Sequence, residues 1–203
     1  QTLSEIKHNL SVLEDGQGGL LDVLYDNKNV YVSYSEQREG RKTSTSVAKG
    51  KFDKNSIKFN NIFRAEPPID SGYHFGSRLV KKNKHLFISA GERGKGMIAQ
   101  DPTNAIGSII RINKDGSIPD DNPFVDKPDW LPAIYQIGVR NPQGMDLDPL
   151  SKKVFISNHG PKGGDFIGEV KKGTNYGWKK VAWGGKNYSG TKVGEGNAWE
   201  PGL

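Results

Sequence analysis

The 203-residue chain contains no cysteine. Disulfides and thiolate metal ligands are therefore excluded, and the redox compartment is left undecided. Hydrophobic residues are scarce, at 33% of the total, and no apolar run approaches the roughly 18 residues that a membrane helix requires. No membrane span is expected. The first residues, Gln1 to Ser11, carry no signal-like apolar stretch. The four histidines, His8, His74, His85 and His159, have no zinc-type spacing. No nucleophile elbow is present, and Gly91-Glu92-Arg93-Gly94-Lys95-Gly96 has the glycines of a phosphate loop without the strand and helix that such a loop joins. Convincing helical periodicity is missing throughout.

Glycine and lysine are plentiful. The 26 glycines and sparse apolar content suit short strands joined by tight turns. The net charge of +6 could attract an anionic partner. The lysines are dispersed, however, and alternate with acids. No basic cluster is interleaved with aromatics as in nucleic-acid platforms, so nucleic acid is not an expected partner.

Three segments share one pattern. Leu21-Asp22-Val23 through Val30-Tyr31-Val32-Ser33, Ser77-Arg78-Leu79 through Leu86-Phe87-Ile88-Ser89, and Met145-Asp146-Leu147 through Val154-Phe155-Ile156-Ser157 each read as strand, polar turn and strand ending in Ser. Those are β-hairpins. Further strands are expected at 44–52, 56–63, 107–112 and 134–139. Hairpins starting at 21, 77 and 145 give a unit of about 56 to 68 residues, the period of propeller blades with variable outer loops. The fold class expected is all-β, a β-propeller, with about three to four blades present. Because a propeller closes to protect its edges, residues 1–203 are expected to form a single partial domain, with N-terminal and C-terminal blades outside it. Unrelated hairpins in a sandwich are the competing arrangement.

The repeat has a geometric consequence. Gln17, His74 and Arg140-Asn141 stand just before the first strands. Tyr34-Ser35, Gly91-Glu92 and Asn158-His159-Gly160-Pro161 stand just after the second. Both positions lie at one end of a hairpin, so equivalent blades gather these groups at one mouth, the default place for a ligand site. His74 could be a general base or a turn histidine bonded to backbone. Arg140 could clamp a carboxylate or bond loop carbonyls. Asn141 and Gln17 could bind a ligand or satisfy local backbone. The stiff loop His159-Gly160-Pro161 to Asp165 offers carbonyl oxygens of the kind calcium takes, or is a plain turn. Asp120-Asp121-Asn122 lacks the later Gly and Glu of a calcium loop and reads as a polar turn.

Seven stretches, in order, carry a resemblance: Gly16-Gln17-Gly18-Gly19-Leu20-Leu21-Asp22, His74-Phe75-Gly76-Ser77-Arg78-Leu79, Asp115 to Phe124, Arg140-Asn141-Pro142-Gln143-Gly144-Met145, His159-Gly160-Pro161-Lys162-Gly163-Gly164-Asp165, Asn175-Tyr176-Gly177-Trp178 and Asn187-Tyr188-Ser189-Gly190. From about Gly16 to Gly190 the chain resembles the soluble aldose sugar dehydrogenases that use pyrroloquinoline quinone (PQQ), the glucose/sorbosone dehydrogenase family. The resemblance implies a six-bladed propeller with PQQ on its axis and a calcium ion beside it. It implies that His74 is the catalytic base and that Asp165 lies near His74 to orient or charge it. Gln17, Arg140 and Asn141 would contact the cofactor, and Tyr188 would line its pocket. The carbonyls of Gly160 and Pro161 would hold the calcium.

The activity implied is oxidation of the anomeric carbon of an aldose to a lactone, with hydride passing to PQQ and an unidentified acceptor reoxidising it. A periplasmic or secreted location follows from the same resemblance, and a homodimer is compatible with it. Some positions depart from the family. Phe166 stands where a Glu is usual after Gly-Gly-Asp, Gly168 replaces an Asn and Lys179 replaces a Pro. In relatives that Glu, with the counterpart of Tyr176, serves a second, structural calcium. Phe cannot ligate a metal, which counts against a second site here. The alternative function is a non-catalytic propeller that binds carbohydrate or protein partners. A lactonase-like propeller would need a calcium ringed by Asp, Glu and Asn, whereas the axial residues here are Gln, His and Arg.

Overall fold

The computed structural model describes residues 4–194, and the terminal stretches 1–3 and 195–203, including Glu200-Pro201-Gly202-Leu203, lie outside the described residues. Among the described residues, twelve strands make three sheets. β1 (Lys7–His8), β2 (Leu20–Asp26), β3 (Asn29–Gln37), β4 (Thr43–Asp53) and β5 (Ser56–Arg64) form the first, in the order β1-β5-β4-β3-β2. β6 (Gly76–Lys82), β7 (His85–Ala90), β8 (Ser108–Asn113) and β9 (Ile134–Ile137) form the second in sequential order. β10 (Pro142–Leu147), β11 (Val154–Asn158) and β12 (Phe166–Glu169) form the third. Apart from the short parallel pairing of β1 with β5, every ladder is antiparallel. Among the described residues one 3-10 helical turn, Gly96–Gln100, interrupts the strands.

The three expected hairpins are β2–β3, β6–β7 and β10–β11. Their turns form where the sequence allows a positive φ: Asn27 and Lys28 take φ 47° and 66°, and Asn83 takes 56°, the requirement of tight hairpin turns. Each hairpin also slips register at the same end, between Leu20 and Asp22, Gly76 and Leu79, and Pro142 and Gly144. The repeat seen in the sequence is therefore a repeat of backbone geometry, and the three sheets are blades of a β-propeller. The second strand of the first hairpin runs past Ser33 to Gln37, so Tyr34-Ser35 lie inside β3 rather than after it. Ser35 nonetheless serves the mouth, because its Oγ accepts the Gly19 amide at 2.7 Å and donates to the Leu13 carbonyl at 2.6 Å.

Side-chain alternation stacks the blades. In β7, Leu86 and Ile88 pack toward the first sheet with Tyr31, Val47 and Ile112. Phe87 faces the other way and joins Val80, Ile109, Val154 and Ile156 against the third sheet. All six residues of β7 are buried, as expected of a strand covered on both faces. Each such aliphatic side chain contributes about 1.5–3 kcal/mol by leaving water. The first strands β2, β6 and β10 lie side by side. Arg78 of β6 stitches them, with Nε donating to the Gln143 carbonyl at 2.7 Å and Nη1 to the Leu21 carbonyl at 2.9 Å. That alignment brings the loops at one end of all three hairpins together.

Candidate functional site

Three loops meet at the mouth. The loop before β2 is pressed onto the loop before β6. The Gln17 amide donates to the Gly72 carbonyl at 2.7 Å, and a Cβ on Gly16 would lie 2.4 Å from that same oxygen. The Gln17 side chain then accepts the His74 backbone amide on Oε1 at 2.9 Å. Its Nε2 group makes no hydrogen bond to the described residues.

His74 holds φ at +51°, a conformation uncommon for a non-glycine residue. Its ring is tied by Nδ1 to Glu92 Oε1. Glu92 is 2% exposed. Its second carboxylate oxygen accepts the Gly96 amide, and its backbone amide donates to the Arg140 carbonyl at 2.8 Å. A carboxylate on Nδ1 keeps that nitrogen protonated and leaves Nε2 with its lone pair. This geometry is that of an oriented general base.

The third loop carries Arg140 and Asn141. Their amides share Asn158 Oδ1 at 3.2 and 3.0 Å. Asn141 Oδ1 accepts the Gly76 amide at 3.0 Å, which joins the second and third blades. The Asn141 side chain is fully buried, and its Nδ2 donor has no partner, an arrangement that costs free energy unless something accepts from it. Arg140 Nη1 donates to the His159 carbonyl at 3.1 Å, and its guanidinium lies 5.5 Å from the Trp178 ring centroid. Burial lowers the Arg140 pKa from its ordinary value, while the charges of Glu92, Tyr188 and Asp165 oppose that shift.

Asp165 requires a correction. It was expected at His74, but its Oδ1 bonds His159 Nδ1 at 3.0 Å and the Gly160 amide at 2.9 Å. Burial pushes its carboxyl up, but the Gly160 amide, His159 and Arg140 outweigh burial and lower it overall. The carboxylate on His74 is Glu92. The repeat register had placed Glu92 at the mouth without giving it a role.

The His159–Asp165 pair shapes the loop between them. Pro161 accepts the Gly164 amide at 2.8 Å, whereas the buried Gly160 carbonyl accepts no hydrogen bond from the described residues. Gly160 must be glycine, because a Cβ there would sit 1.9 Å from the Gly164 carbonyl oxygen. Tyr188 lies at the rim, 61% exposed, with its ring 6.0 Å from that of His159. At the departure site, the Phe166 and Tyr176 rings lie 5.1 Å apart, and the Tyr176 hydroxyl donates to the Glu169 carbonyl at 2.7 Å. Burial pushes that hydroxyl up to about 12.

The donor set suits an anionic ligand. Arg140 supplies positive charge and donors, Asn141 an unpaired buried amide, and Gly160 a free carbonyl. Among the described residues no group of three or more His, Asp or Glu side chains could hold a metal. The carbonyls of Gly160 and Pro161 are the groups here that could hold a hard cation such as calcium. The described residues also contain no helix long and apolar enough to cross a membrane.

The chain is similar to known proteins. The chain is 41% identical over 189 residues to the aldose sugar dehydrogenase YliI of Escherichia coli K12, covering 89% of the chain and 51% of that protein. The crystal structure of the soluble aldose sugar dehydrogenase of Escherichia coli in its apo-form superposes with a TM-score of 0.91 at 38% identity, over 97% of this chain and 59% of that one. The PQQ-bound form of an aldose sugar dehydrogenase from Streptomyces coelicolor superposes with a TM-score of 0.74 at 26% identity, over 91% of this chain and 55% of that one. The chain thus spans about half the length of the curated relatives it matches. The family model for glucose / sorbosone dehydrogenases matches residues 1–203, and the chain belongs to that family.

Proposed function

We propose that this chain supplies the catalytic base and part of the cofactor site of a PQQ- and calcium-dependent dehydrogenase that oxidises the anomeric carbon of aldoses to lactones. The observation that carries this reading is the His74–Glu92 pair beside Arg140, with all three linked through the Glu92 amide at the mouth of the blades. The PQQ-bound relative supports the cofactor assignment.

In this mechanism His74 Nε2 accepts the proton of the anomeric hydroxyl as the C1 hydrogen leaves with its electron pair. Glu92 holds the ring in place and stabilises the imidazolium that forms. When bound, PQQ supplies the two-electron acceptor for that hydride. Arg140 binds acidic groups of the cofactor and stabilises negative charge that develops near it. Asn141 Nδ2 and Gln17 Nε2 supply hydrogen-bond donors, Gly160 and Pro161 offer calcium their carbonyls, and Tyr188 closes the rim. The same reading carries the expected periplasmic or secreted location.

The test is a titration of the apo full-length gene product with PQQ and calcium, followed by dye reduction with a panel of aldoses. Turnover that requires both additions and falls by about three orders of magnitude in His74→Ala supports the reading. If PQQ binds in neither protein, the blades form a non-catalytic binding module.

A further inference from the structure

Arg93 is 2% exposed, and its guanidinium makes no hydrogen bond to Gln17, Arg140, Asn141 or Tyr188. Its guanidinium instead grips the loop that carries His74. Nε donates to the Tyr73 carbonyl at 3.0 Å, and Nη2 donates to the Ser71 carbonyl. The other side of the fork reaches the first blade, with Nη1 on the Thr43 carbonyl at 2.9 Å and Nη2 on Thr43 Oγ1 at 2.7 Å. The Arg93 backbone amide donates to the His74 carbonyl at 3.3 Å. Below the fork the guanidinium stacks 3.7 Å from the Phe75 ring centroid. Arg93 therefore holds the residue before His74 by its carbonyl, His74 itself by its carbonyl and the residue after by its ring.

Its neighbour in the chain, Glu92, holds the imidazole. We infer that Glu92 and Arg93 act as one unit, in which Arg93 is the positioning residue that keeps His74 in its left-handed backbone conformation and its Nδ1 on Glu92. The inference rests on the dehydrogenase reading for its catalytic consequence but not for its geometry. Four donors in a planar fork satisfy three acceptor residues at once. A lysine ammonium, a compact point charge on a flexible stem, cannot span them. Burial pushes Arg93 down to about 10, so the fork is still cationic at neutral pH. Its charge and its shape are both needed, since three carbonyls and a hydroxyl converge on a site closed to water.

The experiment compares wild type with Arg93→Lys, Thr43→Val and Glu92→Gln in the full-length gene product. The spectroscopic readout is the downfield Nδ1 proton of His74 in the apo-protein, assigned with His74→Asn. In wild type it is expected to exchange slowly, because the buried Glu92 accepts it. Arg93→Lys is expected to broaden or abolish it, as Glu92→Gln does, and Thr43→Val to weaken it.

In the loaded enzyme, Arg93→Lys is expected to lower kcat about tenfold or more while KM for the aldose and the PQQ titration stay within about threefold. Thr43→Val gives a smaller loss, and it carries the test if Arg93→Lys does not fold. A folded Arg93→Lys protein that keeps the Nδ1 resonance and full kcat overturns the inference. So does a loss of resonance, PQQ affinity and thermal stability in proportion, which marks a general structural role. A wild type with the Nδ1 proton but no PQQ-dependent turnover overturns the dehydrogenase reading and leaves the positioning to be decided by the spectra.

Discussion

At the scale of single residues, the site depends on one missing side chain. A Cβ on Gly91 would lie 2.1 Å from the His74 carbonyl oxygen and 2.6 Å from its carbon. Both are backbone atoms of a loop already fixed by Gln17 and Arg93, so neither can move cheaply. Gly91→Ala is expected to push His74 off Glu92. The expected loss in PQQ-dependent kcat/KM is about tenfold to a hundredfold, with a stability loss of about 1–3 kcal/mol in a thermal melt. Wild-type turnover in Gly91→Ala would show that His74 does not need this approach. The same example shows what the sequence could convey. Gln17, His74, Arg140 and Asn141 were legible because each sits at the same place relative to a visible hairpin. The role of Glu92 was not, because side chains 18 positions apart pair only through a close backbone approach that glycine permits. Asp165 was assigned to the wrong imidazole for a related reason. Two histidines lie at this mouth, and nothing in the chain order says which one a carboxylate faces.

Among the elements, β7 and β8 carry a second histidine whose behaviour follows from its neighbours. His85 opens β7 opposite Asn113 of β8 and is buried beside Arg111, whose Nη2 lies 3.1 Å from Nδ1. Arg111 also bonds Asp121 at 3.1 Å and Asn122 at 3.2 Å, so the expected polar turn at 120–122 serves to anchor an arginine. Burial, then Arg111, lowers the His85 pKa from 6.5, with Lys84 adding to the shift and Asp121 and Asp120 opposing it. The unfolded chain therefore binds a proton at His85 before the folded one does. Stability is intact above about pH 6.5 and declines as pH falls below it, until the folded imidazole is also protonated. In melts from pH 7.5 to 5, His85→Gln is expected to flatten that acid decline. An unchanged slope would place its cause elsewhere. Strands with clear alternation, short apolar runs or turn chemistry, β2 to β11, were legible in the sequence. β12 was not, since Phe166-Ile167-Gly168-Glu169 has no alternating pattern and takes extended form only because β11 offers it a partner. The two residues of β1 are held in the same way, by β5.

Across the whole molecule, the blades stack like plates, and both surfaces between the three sheets are filled from within the chain. The outer face of the first blade is apolar as well. Val30, Val32, Ile57 and Phe59 floor a cavity of about 700 Å³, with Val23 and Tyr25 at its wall, each 66% exposed. The alternation of β2 makes this face unavoidable. Leu24 turns inward to the core shared with the second blade, so its neighbours Val23 and Tyr25 turn outward. A contiguous apolar surface of this kind marks a contact face, and in a propeller that contact is another blade. The 203-residue chain produced by itself is therefore expected to bind an apolar dye such as ANS and to self-associate with rising concentration. The double variant Val23→Lys, Tyr25→Lys places two charges on the same face without touching the core side of β2. It is expected to cut dye fluorescence by about half or more and to shift sedimentation toward the monomer. Equal dye binding and equal sedimentation in the two chains would mean that this face is not what drives association. The third blade, where Ile167 of β12 is also exposed, would then be the face that associates.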